Sequence, residues 1–363
     1  MRVLDLDTPA LVVDLDRVEG NLARMAHRAA AAGLALRPHT KTHKTPQLAR
    51  RQAEHGAAGL TVAKLGEAEV MVGAGFRDIF IANQIVGAQK VARLVALTRQ
   101  AEISVGVDSL EVAEPLSAAF AQEGRRLAVL IEVDVGLGRC GVAPEAAEEL
   151  AARVHALSGL TLAGFFCYPG QVYGARDAKE MEAIAAEEGR VMGELAERVA
   201  AFAGPGLRVS GGSSPTARHY RPGGGLTEIR PGTYVFNDRM QVARGAAEPE
   251  DCALTVLATV VSTPGPGRAI LDAGSKALGT DPVPGWPGQG MLKEDNRAVV
   301  ARVNEEHGFL DLSAASRSLR VGDKVEVIPN HCCFVTNLFD EMAAVRAGEV
   351  VEMWPVLARG RMQ

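Results

Sequence analysis

ISVGVDSLEVAEPLSAAFAQEGRRLAVLIEVDVG, Ile103 to Gly136, decides the fold. A β-branched run, Ile103 to Val107, gives way to apolar residues at helical spacing from Leu110 to Phe120. A second apolar run follows from Leu127 to Val133. Strand, helix, strand in that order is one βα unit and the start of the next. The same alternation extends in both directions. Apolar runs lie near Leu34 to Arg37, Leu60 to Ala63, Ile79 to Ala82, Leu162 to Phe166, Leu207 to Ser210 and Ile229 to Phe236, and a long helical stretch runs from Ala178 to Phe202. Eight such units predict an α/β fold, a (β/α)8 TIM-like barrel preceded by a strand around Leu11 to Val13 and its following helix. A doubly wound open sheet is the alternative.

After Arg244 the texture changes. LTVLATVVST, RAILDAG, DKVEVIP and AAVRAGEVVEMW are divided by Pro/Gly turns with no long amphipathic helix between them. We therefore expect a barrel over residues 8–243 and a C-terminal β domain over 244–363, with residues 1–7 open to joining the latter. TDPVPGWPGQG, residues 280–290, reads as an exposed loop.

Composition bounds the function. The 39 Lys and Arg against 44 Asp and Glu give a net charge of −5, without basic runs, which argues against a nucleic-acid or anionic-membrane partner. No apolar stretch reaches the roughly 18 residues that span a bilayer. The acidic start MRVLDLDTPALVVDLD is unlike an export signal, and five scattered cysteines fit a reducing cytoplasm better than a disulfide framework.

Four constellations could carry chemistry. RPHTKTHK, Arg37 to Lys44, follows the first predicted barrel strand at the end where barrels place active sites. A desolvated lysine there can serve as a Schiff-base nucleophile or general base. Lys41 and Lys44 compete for the role, and Lys41 lies closer to the strand end; a solvated basic loop is the plainer alternative. SGGSSPT, Ser210 to Thr216, follows the seventh strand, and its small residues let backbone N–H groups approach a phosphate. GTY, Gly232 to Tyr234, after the eighth strand could complete that cradle. EVDVGLGRCG, Glu132 to Gly141, delivers Arg139 into a Gly-rich bend, where it could pair with a phenolate or carboxylate, or form a surface ion pair. PNHCC, Pro329 to Cys333, ends a strand. Alternation along a strand would put His331 and Cys333 on one face with Cys332 turned away, a pair able to hold a zinc-like divalent metal. A buried histidine beside core cysteines competes with that reading, and His307 in NEEHG reads as a turn residue.

With DTPALVVDLD at the start, STPGPGRAILDAGSK at Ser262 to Lys276 and WPVLARG near the end, these blocks make the chain similar to the D-threonine aldolase and D-serine dehydratase family along nearly its whole length. The resemblance implies an alanine racemase-like fold, a barrel that binds pyridoxal phosphate, a β domain, a homodimer and a divalent metal (zinc, or manganese or magnesium). It implies that Lys41 forms the Schiff base, and that Arg139, Tyr168, Ser210, Gly211, Gly212, Ser213, Ser214, Gly232, Thr233 and Tyr234 bind the cofactor. His331 and Cys333 would bind the metal. The implied activity is a D-threonine aldolase-like cleavage of a D-3-hydroxy amino acid to glycine and an aldehyde, or dehydration of D-serine or D-3-hydroxyaspartate to a 2-oxo acid and ammonia.

Two features depart from the aldolase pattern. Cys333 stands where the family's aldolases carry Asp, and CYPGQVYG, Cys167 to Gly174, lacks the histidine associated with hydroxyl activation. Three rival classes remain on sequence grounds: an amino-acid racemase, a non-catalytic pyridoxal-phosphate carrier, and a cofactor-free lysine aldolase.

Overall fold

The structure, a computed structural model, describes residues 1–363. By its internal contacts the chain divides into a barrel unit (Met25–Lys41, Leu48–Gly232 and Arg361–Gln363) and a sheet unit (Met1–Arg24, Thr42–Gln47 and Thr233–Gly360). The first strand, β1 (Ala10–Asp14), is followed by helix α1 (Leu15–Ala31).

The barrel unit contains the strands β2 (Ala35–Leu36), β3 (Leu60–Val62), β4 (Asp78–Gln84), β5 (Glu102–Val107), β6 (Leu127–Val133), β7 (Leu160–Cys167), β8 (Arg208–Gly211) and β9 (Glu228–Ile229). All eight pair in parallel, in the order β2-β9-β8-β7-β6-β5-β4-β3. A bridge from His39 to Thr61 joins the two ends, with the Thr61 N–H donating to the Pro38 carbonyl at 2.8 Å. That closure decides for a barrel over an open sheet. Helices α2 (Pro46–Glu54), α3 (Leu65–Gly73), α4 (Ala88–Leu97), α5 (Leu110–Gln122), α6 (Ala147–His155) and α7 (Ala178–Ala203) alternate with the strands.

The lumen is filled, in part by charge. Phe80 and Phe166 meet edge to face with centroids 5.0 Å apart, packed with Leu130. Beside them a buried polar chain runs across the strands. Arg37 Nε donates to Glu228 at 2.7 Å, Ser210 Oγ donates to the other Glu228 oxygen at 2.6 Å, and Arg230 reaches Ser210 Oγ and the Cys167 carbonyl, both at 2.5 Å. Each buried charge thus has a partner, which is the condition for its being tolerated.

The sheet unit carries β10 (Leu254–Gly265), β11 (Arg268–Leu271), β12 (Gly290–Leu292), β13 (Val299–Val303), β14 (Gly308–Asp311), β15 (Lys324–Pro329), β16 (Glu341–Arg346) and β17 (Glu349–Pro355), with the short helices α8 (Arg239–Ala243), α9 (Ser275–Leu278) and α10 (Cys332–Thr336). Its nine-stranded sheet runs β11-β14-β13-β12-β15-β10-β1-β16-β17.

Two expectations change. The domain expected over 8–243 takes in the strand near Leu11 to Val13 that precedes the barrel, yet β1 pairs with β10 and β16 in the sheet unit, where Val12 packs against Leu257 and Ala343. The predicted run Ile229 to Phe236 is strand only to Ile229. Pro231 has no N–H for the ladder, and Thr233–Val235 form a 3-10 turn. No helix is long and apolar enough to cross a membrane.

Candidate active site

The barrel strands deliver most of the predicted residues at their carboxyl ends. Lys41 lies in the 3-10 turn Thr40–Thr42 that follows β2. Its Nζ is 5.5 Å from the centroid of the Tyr168 ring, and Tyr168 is the first residue after β7. Arg139 stands 5.2 Å from the same centroid and 3.7 Å from Glu132. One aromatic ring therefore has both Lys41 and Arg139 within cation–π distance, an arrangement that holds cations in place without neutralising them. Lys44, the rival lysine, falls in the sheet unit at a positive φ of 53°.

After β8 the buried loop Gly211 to Ser214 turns at Gly212, where φ is +80° and a Cβ would lie 3.0 Å from Ile229 Cγ2. Only glycine fits there without strain. The loop is pinned by Glu188 of α7, a residue outside the four constellations singled out from sequence. Glu188 Oε1 accepts the Gly212 N–H at 2.7 Å and the Cys167 thiol at 3.1 Å, while Oε2 accepts the Tyr220 hydroxyl at 2.5 Å. Burial raises the Glu188 pKa, and the hydrogen bonds from Tyr220 and Gly212 oppose that rise. Ser213 is closed onto Thr216, whose Oγ1 accepts the Ser213 N–H at 2.8 Å.

The Gly-rich bend is organised by Asp134, which accepts the N–H groups of Gly136, Leu137 and Gly138. Asp108, Glu132 and Cys140 bring their ligand atoms within 4.8 Å of one another. The Gln84 amide already bridges the two carboxylates, donating to Asp108 at 3.1 Å and to Glu132 at 2.6 Å, and Arg139 adds a positive charge. This cluster is satisfied as it stands.

In the sheet unit, β15 ends at Pro329, so the predicted extended alternation over PNHCC does not hold. His331 caps helix α10 with β-region angles, and Cys332 and Cys333 begin that helix. The helical turn nevertheless buries Cys332 and leaves His331 hydrogen-bonded to the Cys333 side chain. His331 Nδ1 also meets Asp281 Oδ2 at 2.6 Å, within the segment read from sequence as an exposed loop. Thr42 and Thr233 place their hydroxyls 3.2 Å and 3.8 Å from the Cys333 sulfur. Buried Asp238 accepts the Cys332 N–H at 3.0 Å. Burial opposes the charging of His331, but the charge of Cys333 and the hydrogen bonds to Asp281 and Cys333 outweigh it and push the imidazole up to about 11. Asp281 is held below the usual carboxylate range by that hydrogen bond.

The residues suit both implied groups. A primary amine beside an aromatic ring, with a buried Gly/Ser loop at the end of the next strand, matches an aldehyde-bearing phosphate. An imidazole and a thiol amid acidic neighbours match a borderline-soft divalent cation, because surroundings that favour a proton on His331 also favour a metal. Asp281 supplies the carboxylate that orients a ligating imidazole. It had no local sequence signal, being 50 positions from its partner. Glu188 did have one: it interrupts the buried stripe Met181, Ala185, Glu188, Met192 at helical spacing.

Comparison with known proteins finds relatives along nearly the whole chain. Residues 13–240 match the family described as alanine racemase, N-terminal domain, and residues 253–345 match the putative serine dehydratase domain. The chain is 36% identical to a D-threonine aldolase of Arthrobacter sp, covering 98% of this chain and 93% of that one. It is 34% identical to the D-threo-3-hydroxyaspartate dehydratase of Delftia sp. (strain HT23), covering 97% of each. The crystal structure of D-threonine aldolase from Filomicrobium marinum superposes with a TM-score of 0.90 at 34% identity, over 99% of this chain and 98% of that one. Solved forms of D-threo-3-hydroxyaspartate dehydratase, also at a TM-score of 0.90, include a histidine-to-alanine variant and a cysteine-to-alanine variant whose altered positions are two residues apart, the latter described as metal-free.

Proposed function

The chain belongs to the D-threonine aldolase and D-serine dehydratase family of alanine racemase-like enzymes, and from that premise we propose that it is a pyridoxal-phosphate- and divalent-metal-dependent lyase that cleaves D-3-hydroxy amino acids to glycine and an aldehyde. The observation that carries the reading is the placement of the Lys41 amine over the Tyr168 ring at the carboxyl ends of the barrel strands.

Pyridoxal phosphate, when bound, supplies an electron sink for whichever bond at the substrate α-carbon lies perpendicular to its ring. A divalent metal, if bound, would supply Lewis-acid polarisation of a substrate oxygen. The chain's own residues do the rest. Lys41 would hold the cofactor's aldehyde through its ε-amine and would be the residue to carry a proton to or from the α-carbon. Tyr168 and Arg139 would flank the cofactor, Arg139 being able to offer a permanent positive charge to a phenolic oxygen. The loop Ser210 to Ser214, with Gly232, Thr233 and Tyr234, receives the phosphate. His331 and Cys333 hold the metal, with Asp281 fixing the imidazole. We extend the reading to a homodimer, and to the cytoplasm, a reducing compartment that five free cysteines suit.

Cys333 favours a second reading, dehydration to a 2-oxo acid and ammonia, because the related dehydratase has been altered at a cysteine two residues from a histidine. The test is product analysis after incubating protein loaded with pyridoxal phosphate and metal with D-threonine, D-allo-threonine, D-serine and D-3-hydroxyaspartate. Glycine with an aldehyde is the expected result. Ammonia with a 2-oxo acid moves the assignment to dehydratase, and turnover of none of the four overturns the lyase.

A further inference from the structure

The opposite end of the barrel holds a cavity of about 650 Å³ at the amino ends of β4 to β8. Its size lies in the range of ligand pockets. Three guanidinium groups line it: Arg208, Arg125 and Arg126. All three donate to hydroxyl and carbonyl oxygens rather than to carboxylates. Arg208 crosses the lumen from β8 to β5, where its Nη2 donates to Ser104 Oγ at 2.8 Å. Arg125 donates to Thr98 Oγ1 at 3.1 Å and to the Thr98 carbonyl at 2.5 Å. Arg126 Nε donates to the Leu160 carbonyl at 2.8 Å.

Two acids also reach the cavity, and neither offsets that charge fully. Both oxygens of Asp78 are taken by Arg37, at 2.7 Å and 3.0 Å, and Glu102 is exposed at the rim. The balance is positive, and each guanidinium retains N–H groups beyond those named. Burial disfavours the charge on Arg208, with Glu228 and Asp78 only partly compensating. An anion arriving in the cavity would relieve that cost, and a planar guanidinium is the side chain best matched to a carboxylate or phosphate. The site faces away from the chemistry, since Lys41 and the Gly211 to Ser214 loop follow the carboxyl ends of β2 and β8, whereas the Phe80–Phe166 pair and Arg230 fill the lumen.

We propose that this cavity binds a small oxyanion, a phosphate ester or a dicarboxylate, between Arg208 and the pair Arg125 and Arg126, as a ligand site separate from the catalytic end of the barrel. The experiment is isothermal titration of protein already saturated with pyridoxal phosphate, so that the cofactor's own phosphate site is filled. Inorganic phosphate and succinate are the probes, each against chloride at equal ionic strength. Saturable binding of one probe is expected, weakened about tenfold or more in Arg126→Gln and in Arg208→Gln, in line with loss of a charge-assisted hydrogen bond. The cofactor's visible absorbance should stay unchanged throughout. Stronger binding of phosphate assigns a phosphate ester, and stronger binding of succinate a dicarboxylate. Arg208 packs over Phe80 in the barrel interior, so if its variant fails to fold, the exposed Arg126 variant decides alone. Failure of both probes to bind saturably, or equal binding in wild type and Arg126→Gln, overturns the proposal.

Discussion

Glu188 accepts the backbone N–H of Gly212 at 2.7 Å from the buried face of α7, and thereby ties the loop after β8 to the helix that packs outside it. The same carboxyl takes the Tyr220 hydroxyl and the Cys167 thiol. Removing it leaves the buried Gly212 N–H without its acceptor, at a cost of about 1–3 kcal/mol, and frees the weaker Cys167 thiol, while Tyr220 keeps Thr216 Oγ1 at 2.8 Å. Glu188→Ala should therefore lower stability and loosen the loop Gly211 to Ser214; if that loop holds the phosphate as proposed, the dissociation constant for pyridoxal phosphate should rise about tenfold or more. Glu188→Gln, which keeps one acceptor, should lose less. Fluorescence titration of the apo-proteins with the cofactor measures this, and an unchanged affinity in a folded Ala variant would remove Glu188 from the site.

Lys41 lies with Arg139 beside the Tyr168 ring, whereas Lys44 belongs to the sheet unit. Lys41→Ala should abolish the visible absorbance of lysine-bound cofactor and reduce turnover by several orders of magnitude, whereas Lys44→Ala should retain the band. Spectra of the two variants after cofactor loading and gel filtration settle the assignment. A normal band in Lys41→Ala would transfer the role to another lysine.

Asp281 fixes the ring of His331 through the 2.6 Å contact at Nδ1. Loss of such an orienting carboxylate typically costs about 10–100-fold in metal affinity. Asp281→Asn should therefore weaken zinc binding by that factor in competition with a chelating dye, and should leave pyridoxal-phosphate absorbance intact. His331→Ala should abolish binding altogether. Equal zinc affinity in Asp281→Asn and the parent would show that the imidazole is oriented by other means.

The elements that sequence reasoning located are those whose information is local. Leu127 to Val133 is an apolar run broken only by Glu132 and bounded by Arg126 and Asp134, and the structure gives a strand with those limits. The 26-residue helix α7 begins at the N-cap Asp177, which accepts the Glu180 N–H. Pairing partners are a different matter. Nothing in ALVVD shows that Ala10 will face Leu257 instead of a barrel neighbour, because a strand's pattern records which face is buried and not which strand lies beside it. His331 and Cys333 were legible as a pair, although a helical turn rather than a strand brings them together. Asp281 was hidden because a single acid in a Pro/Gly-rich segment acquires meaning only when the fold supplies its partner.

Asp238 provides a test in pH. Its carboxyl caps α8 by accepting the Gln241 N–H at 2.9 Å and also accepts the Cys332 N–H. Burial pushes its pKa up from 3.8 to about 6, against the opposing influence of His331 and the Cys332 N–H. Below the unfolded value both states hold the proton, and the contribution to stability is fully present. As pH rises toward 6, the unfolded chain releases its proton first, so the folded state loses stability until the buried carboxyl ionises too. A shift of about two units corresponds to roughly 3 kcal/mol. Asp238→Asn removes the titration, so the difference in unfolding free energy between wild type and variant should change by up to that amount between pH 4 and 7, in the direction of relative loss for wild type. Glu132 and Glu188, also raised by burial, titrate in both proteins and cancel in the difference. Urea unfolding at unit pH steps on metal-free protein makes the measurement, and parallel curves for the two proteins would mean that Asp238 keeps an ordinary carboxylate pKa in the folded chain.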